Sequence, residues 1–381
     1  MKKILLFFLA ILLAGCAAAP EPTEPVTDPP SIPVTEPPTE PPSEPPTEPP
    51  DPIAEAVEAM TAEEKVGQLF LARYDGANAL SHTDTYHLGG WLLFSPDFEG
   101  KAPDSIRTEL TALQAVSDVP LLIGVDEEGG TVTRVSRHSA FRDSKFPSPR
   151  ALYNEGGTEL VLETEAEKSK LLSSLGINVN LAPVCDITTD PSAFMYARSL
   201  GLSPQDTGTV VAAMVETAAE NGVASILKHF PGYGNNADTH VGIARDQRTL
   251  EELENNDLIP FRHGFEAGCG AVLVSHTIVE CLDDELPASL SPAVIGYIRE
   301  EMDFDGVIVT DDLVMQAITD RYGAGESAVM AIEAGCDLLC STEYVTQYNA
   351  VLAAVDEGRI DQETLDAAVY RILRWKQSFS Q

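Results

Sequence analysis

Residues 223–240 read VASILKHFPGYGNNADTH. A short apolar run, Val223 to Leu227, gives way at once to Lys228 and His229, and then to Pro231, Gly232 and Gly234. Proline lacks an amide donor and glycine has no side chain to favour a regular conformation, so Lys228 to His240 is predicted as a loop leaving the end of a strand. Its lysine, two histidines and Asp238 would give that strand end a polar, reactive rim. An ordinary surface loop with incidental histidines is the plain alternative. The rest of the chain argues against it, because other strand ends carry matching polar groups.

Short apolar, β-branched runs recur near 66–73, 89–94, 120–125, 177–184, 223–227, 270–274, 306–310 and 335–340. Amphipathic segments lie between them at 104–117, 158–175, 205–221, 249–267, 292–302 and 319–334, and a final helical pair spans 345–356 and 361–377. Near-continuous hydrophobic strands alternating with helices imply an α/β fold with a covered parallel sheet. Eight of them favour a closed (β/α)8 TIM-like barrel, in a single catalytic domain, over an open doubly wound sheet. Asp126, Asp186, Lys228-His229, Ser275-His276 and Asp311-Asp312 each follow the carboxyl end of an apolar run. Barrel enzymes build their sites on that face from several strands.

The domain is preceded by a different kind of sequence. Lys2 and Lys3 followed by the apolar Ile4 to Leu13 form a targeting segment too short to span a bilayer, which takes about 20 residues. Leu13-Ala14-Gly15-Cys16 resembles the bacterial lipobox, which implies a signal peptide over 1–15 and diacylglycerol on Cys16. Residues 17–52 hold 15 of the 27 prolines in a TEPP/SEPP repeat. Such a stretch buries too little apolar surface to order itself, and as an extended polyproline spacer it would reach about 110 Å at ~3.1 Å per residue. The reading is a lipid-anchored Cys16 with a disordered linker over 16–52 and a barrel over 53–381, held at the extracellular face of the cell membrane.

Without its first 52 residues the chain carries 22 basic and 52 acidic side chains, a balance of −30. That excludes nucleic-acid partners and leaves the lipid anchor as the sole membrane contact. The remaining cysteines, 185, 269, 281, 336 and 340, match no zinc spacing and read as small buried hydrophobes. No metal or cofactor is called for, and a monomer is expected.

Asp311 and Asp312 follow GVIVT, a strand that must be buried. A carboxylate at a barrel mouth can serve as a base toward water or as a nucleophile forming a glycosyl ester. The best second group is His240, with Asp238 two residues before it to orient the imidazole and favour its protonated form. No GxGxxG, P-loop or HExxH is present to suggest nucleotide or metalloprotease chemistry.

Over 54–378 these residues resemble glycoside hydrolase family 3, in its β-N-acetylglucosaminidase branch. MTAEEKVGQLF (60–70), GVDEEGGTVTR (124–134), NLAPVCDI (180–187), ARSLG (197–201), KHFPGYG…DTH (228–240), VSHTIVECLDDELPASLSP (274–292) and GVIVTDDLVMQAI (306–318) match its motifs in order. The resemblance implies that Asp311 is the nucleophile and His240 the general acid/base, with Asp238 as its partner. It further implies that Asp126, Arg134, Arg198, Lys228 and His229 bind the terminal amino sugar of a glycan. Tyr233 stands where the family usually has His, Thr131 replaces a frequent Arg, and the 228–240 loop is one residue short, which puts the resting position of His240 in doubt. A β-glucosidase or β-xylosidase, a phosphorylase of the same family, and an inactive lipid-anchored sugar-binding protein stay open as alternatives.

Overall fold

The structure, a computed structural model, describes residues 51–234 and 242–379. The signal peptide, Cys16 and nearly all of the linker lie outside the described residues, as do Asp238 and His240. Eleven strands are described: β1 (Phe70–Arg73), β2 (Gly90–Leu93), β3 (Leu122–Val125), β4 (Val179–Asn180), β5 (Ala224–Ser225), β6 (Leu227–Phe230), β7 (Arg245–Asp246), β8 (Ala271–Val274), β9 (Ile278–Val279), β10 (Val307–Thr310) and β11 (Leu338–Ser341).

Nine of them form one sheet in the order β5-β4-β3-β2-β1-β11-β10-β8-β6, and β7 pairs with β9 beside it. All pairings within the large sheet are parallel. The two ends of the order, β5 and β6, are successive pieces of one segment broken at Ile226, so the sheet closes on itself as an eight-position barrel. A bridge between Val184 and Lys228 joins the β4 segment to β6 across the closure. The expected (β/α)8 barrel is the observed fold. Its strands are buried along their length because barrel interior and helical layer cover their two faces.

Local chemistry sets where the helices begin. Ser148, Ser203 and Ser291 cap helices that each start with proline, at Pro149–Leu175, Pro204–Glu220 and Pro292–Glu300. Thr61 and Glu64 form a reciprocal capping box on Ala62–Gln68. That helix corrects the reading of 66–73 as strand: Val66 belongs to its last turn, and β1 starts only at Phe70. The segment read as one helix over 249–267 is two, Leu250–Asn255 and Leu258–Glu266.

The last helix, Gln362–Phe379, runs under the amino-terminal ends of the strands. Arg371 pairs with Asp337 before β11 at 3.0 Å, and Arg374 with Asp305 before β10 at 2.7 Å. Trp375 fills the space over Gly270, where any side chain would meet the indole at 2.4 Å. Lys376 donates to Gln68 before β1 at 2.7 Å, and burial pulls its ammonium down to about 7. The helix closes the lower end of the barrel and leaves the upper end for a site. Tyr370 of the same helix donates to Asp51 at 2.7 Å.

Candidate active site

A cavity of about 590 Å³ opens at the carboxyl ends of the strands, lined among others by Asp126, Arg134, Arg198, Lys228, His229, Asp311 and Asp312. All six of the predicted site residues that are described, Asp311 and the five sugar-binding candidates, therefore meet in one place.

Lys228 and His229 do not sit in a loop as predicted. Both lie in β6, which runs on to Phe230, and Ser275 N–H donates to the Phe230 carbonyl at 3.0 Å. A strand can carry these polar side chains into the barrel because carboxylates wait for them. Lys228 Nζ lies 2.6 Å from Asp126 Oδ1 and 2.6 Å from Glu128 Oε1. His229 Nδ1 lies 2.8 Å from Asp186 Oδ2, and Tyr233 N–H donates to Asp186 Oδ1 at 2.7 Å. Arg198 gives Nε and Nη2 to the two oxygens of Glu128, at 2.9 and 2.6 Å, and Nη2 also reaches His229 Nε2 at 3.0 Å. Arg134 is 3.7 Å from Asp126, with its guanidinium over the Phe94 ring, and its buried Nε has no hydrogen-bond partner among the described residues.

These contacts form a continuous row, Arg134–Asp126–Lys228–Glu128–Arg198–His229–Asp186. Burial would push the Glu128 carboxyl up, but Lys228 and Arg198 hold it well below the usual carboxylate range. Burial would pull the Lys228 ammonium down, but Asp126 and Glu128 keep it above its ordinary value. Removing one member of such a buried network costs about 3–5 kcal/mol, because a charge is left without its partner.

The chain reaches this row through the turn after β3. Gly129 has φ 102° and packs so closely that a side chain would meet the Pro147 carbonyl at 2.2 Å. The fully buried Glu127 accepts from the N–H groups of Arg134 and Val135, both at 2.7 Å, and from the Ser136 hydroxyl. It thereby folds the loop that carries Arg134. Glu127 and Glu128 were missing from the sequence-derived site. The run Asp126-Glu127-Glu128-Gly129-Gly130 was the available clue, since three carboxylates between a buried strand and two glycines need partners.

The Asp311–Asp312 pair divides by its surroundings. Asp312 accepts from Thr342 Oγ1 at 2.6 Å, from Thr342 N–H at 3.2 Å and from Val314 N–H at 3.2 Å. Burial raises its pKa. Asp311 accepts from Asp312 N–H at 2.9 Å, and its own N–H donates to the Val274 carbonyl at 3.0 Å. The fully buried His276 lies beneath this turn: Nε2 donates to the Asp312 carbonyl at 3.0 Å, and Nδ1 meets Ser289 Oγ at 2.7 Å. It supports the turn and does not line the cavity.

Four of the five described cysteines are buried as read, whereas Cys281 is exposed. Among the described residues no group of three or more His, Cys, Asp or Glu side chains could hold a metal ion. Charged donors and carboxylates along one wall can grip neighbouring hydroxyl groups, and the carboxylate of Asp311 faces the same space.

Comparison with known proteins agrees with this chemistry. Residues 61–375 match the family model described as glycosyl hydrolase family 3 N terminal domain. The chain is 30% identical over 329 residues to beta-hexosaminidase LpqI of Mycobacterium tuberculosis, covering 83% of each. It is 30% identical over 324 residues to beta-hexosaminidase A of Pseudoalteromonas piscicida, covering 78% of this chain and 54% of that one. A solved family 3 β-N-acetylglucosaminidase from Paenibacillus superposes with a TM-score of 0.80 at 36% identity, over 84% of this chain and 63% of that one. The chain thus spans only about half to two thirds of the length of some of the relatives it matches.

Proposed function

The chain belongs to glycosyl hydrolase family 3, and from that membership we propose that it is a retaining exo-β-N-acetylhexosaminidase. Its substrates are terminal β-linked N-acetylhexosamine residues of peptidoglycan fragments or related glycans. The observation that carries the reading is the Asp126–Lys228–Glu128–Arg198 row lining the same cavity as Asp311. Relatives named as beta-hexosaminidases support the amino-sugar preference. A cavity of about 590 Å³ has the size of a single small-molecule site, which supports action at a chain end.

In the proposed mechanism the Asp311 carboxylate attacks the anomeric carbon as the bond to the leaving oxygen breaks, and His240 gives that oxygen a proton. Water then attacks the glycosyl ester and returns a proton to His240, so that the anomeric configuration is retained. Asp238 holds the imidazole of His240. Asp126, Arg134, Arg198, Lys228 and His229 hold the sugar. Cys16 anchors the protein to the outer face of the cell membrane, with the proline-rich segment as spacer.

The test compares turnover of p-nitrophenyl β-N-acetylglucosaminide and β-glucoside, each with and without phosphate. Preference for the amino sugar with water as acceptor is the expected result. Preference for the glucoside, or a phosphate-dependent rate giving a sugar phosphate, would replace this reading with a glucosidase or a phosphorylase.

A further inference from the structure

Lys228 and Arg198 both line the cavity, and both converge on Glu128, which does not line it. Oε1 of Glu128 takes Lys228 Nζ and Arg198 Nη2, each at 2.6 Å, and Oε2 takes Arg198 Nε at 2.9 Å. An ammonium has three N–H donors and a guanidinium five. Two donors of Lys228 are taken by Asp126 and Glu128. Four of Arg198 are taken: two by Glu128, one by His229 Nε2 and one by Met195 Sδ at 3.4 Å. Each cation is left with one donor. The free donor of Arg198 is on Nη1; because Nζ and Nη2 reach the same carboxylate oxygen they stand no further apart than twice that bond length, and Nη1 is the neighbouring nitrogen of the same planar guanidinium.

We propose that Glu128 is a positioning residue that sets Lys228 and Arg198 as a rigid pair of single-donor contacts for neighbouring sugar hydroxyls. The choice of ligand rests on the amino-sugar reading above; the coupling of Glu128 to its two cations does not. Glu128 turns two flexible cationic side chains into one shaped surface, and their ordering entropy is settled before the sugar arrives. It also contributes charge. Lys228 is faced by Asp126 and Glu128 from the turn after β3 and by Arg198 from the loop after β4, with Cys340 of β11 and Asp311 after β10 on the same floor. With Glu128 neutralised, Asp126 is the one ion-paired carboxylate left to offset both burial and Arg198.

The test uses Glu128→Gln in the full chain. An amide keeps one acceptor oxygen but turns an N–H₂ group toward cations that can only donate. Titration of the lysine Cε signals by NMR, with the Lys228 signal assigned through Lys228→Met, is expected to show a midpoint at lower pH than in the wild type. The affinity for N-acetylglucosamine, measured by calorimetry, is expected to fall about tenfold or more, as for loss of a charge-assisted hydrogen bond. Its alkaline limb should move to lower pH together with the Lys228 signal. An unmoved Lys228 midpoint would overturn the proposal even if the variant is less stable, since a merely structural role lowers stability alone. A wild type that binds no amino sugar, with the Lys228 midpoint still shifted, would reject the proposed function and keep the coupling. If Glu128→Gln does not fold, Glu128→Asp keeps the charge on a shorter arm; weaker binding with an unmoved alkaline limb is then expected, and full affinity would overturn the proposal.

Discussion

Arg198 Nη2 lies 3.0 Å from His229 Nε2, while Nδ1 of the same ring lies 2.8 Å from Asp186. A guanidinium can only donate, so Nε2 is the acceptor and the proton sits on Nδ1, directed at Asp186. His229 is therefore oriented and has no proton to offer a leaving group. His229→Ala should lower kcat/KM by about 10- to 100-fold through lost support for Arg198 and for the wall of the sugar site. The loss should be the same for good and poor leaving groups. A loss that grows with leaving-group pKa would make His229 the acid.

His240 should behave in the opposite way. His240→Ala removes the proton that an alkoxide leaving group needs, so disaccharides and glycopeptides should lose several orders of magnitude in rate, whereas activated aryl glycosides lose far less. Rates across aryl glycosides of graded leaving-group pKa check this, and a dependence no steeper than that of the wild type would mean that the proton comes from elsewhere. Asp238→Asn should act more weakly and in the same direction.

The barrel was legible because eight buried strands each need an apolar run, and because the polar residues cluster at one end of those runs. The membership of the site was legible only in part. That Asp312 is committed to Thr342, just past the end of the next strand and 30 residues away, is a tertiary fact that the dipeptide Asp-Asp cannot carry. Glu128 likewise meets Arg198 70 positions later in the chain. The strand nature of Lys228 to Phe230 was hidden because local propensity gives way when buried carboxylates satisfy a lysine and a histidine. The amphipathic pattern of 362–379 likewise says helix without saying which end of the barrel it covers.

Asp257 gives a pH test of the fold beside the site. Burial pushes its carboxyl up to about 6, against the pull of Arg248 Nη1 at 2.6 Å, and Oδ1 has no hydrogen-bond partner among the described residues. The folded state thus keeps a proton that the unfolded chain releases near 3.8. Stability from this group is present at low pH and lost as pH rises through about 6. Relative to Asp257→Asn, the wild type should lose about 3 kcal/mol between roughly pH 4 and pH 8, from ~1.4 kcal/mol per pKa unit. Denaturant unfolding of both proteins across that range checks it, and a constant difference would contradict the burial argument.

The anchor is tested through Cys16. The mature protein should partition into detergent, because two acyl chains suffice for stable membrane attachment where one is marginal. Cys16→Ser should leave it in the aqueous phase. A wild type that stays soluble, with an amino terminus other than Cys16, would reject the anchor.

The most direct measurement is to trap the covalent intermediate. A 2-acetamido-2-deoxy-5-fluoroglycosyl fluoride should inactivate the enzyme with one sugar attached, and peptide mapping should find the ester on Asp311. Asp311→Ala or Asp311→Asn should escape labelling, remain folded and lose at least about a thousandfold in turnover. A label on Asp312, or an Asp311 variant that still turns over substrate, would contradict the assignment of Asp311 as nucleophile.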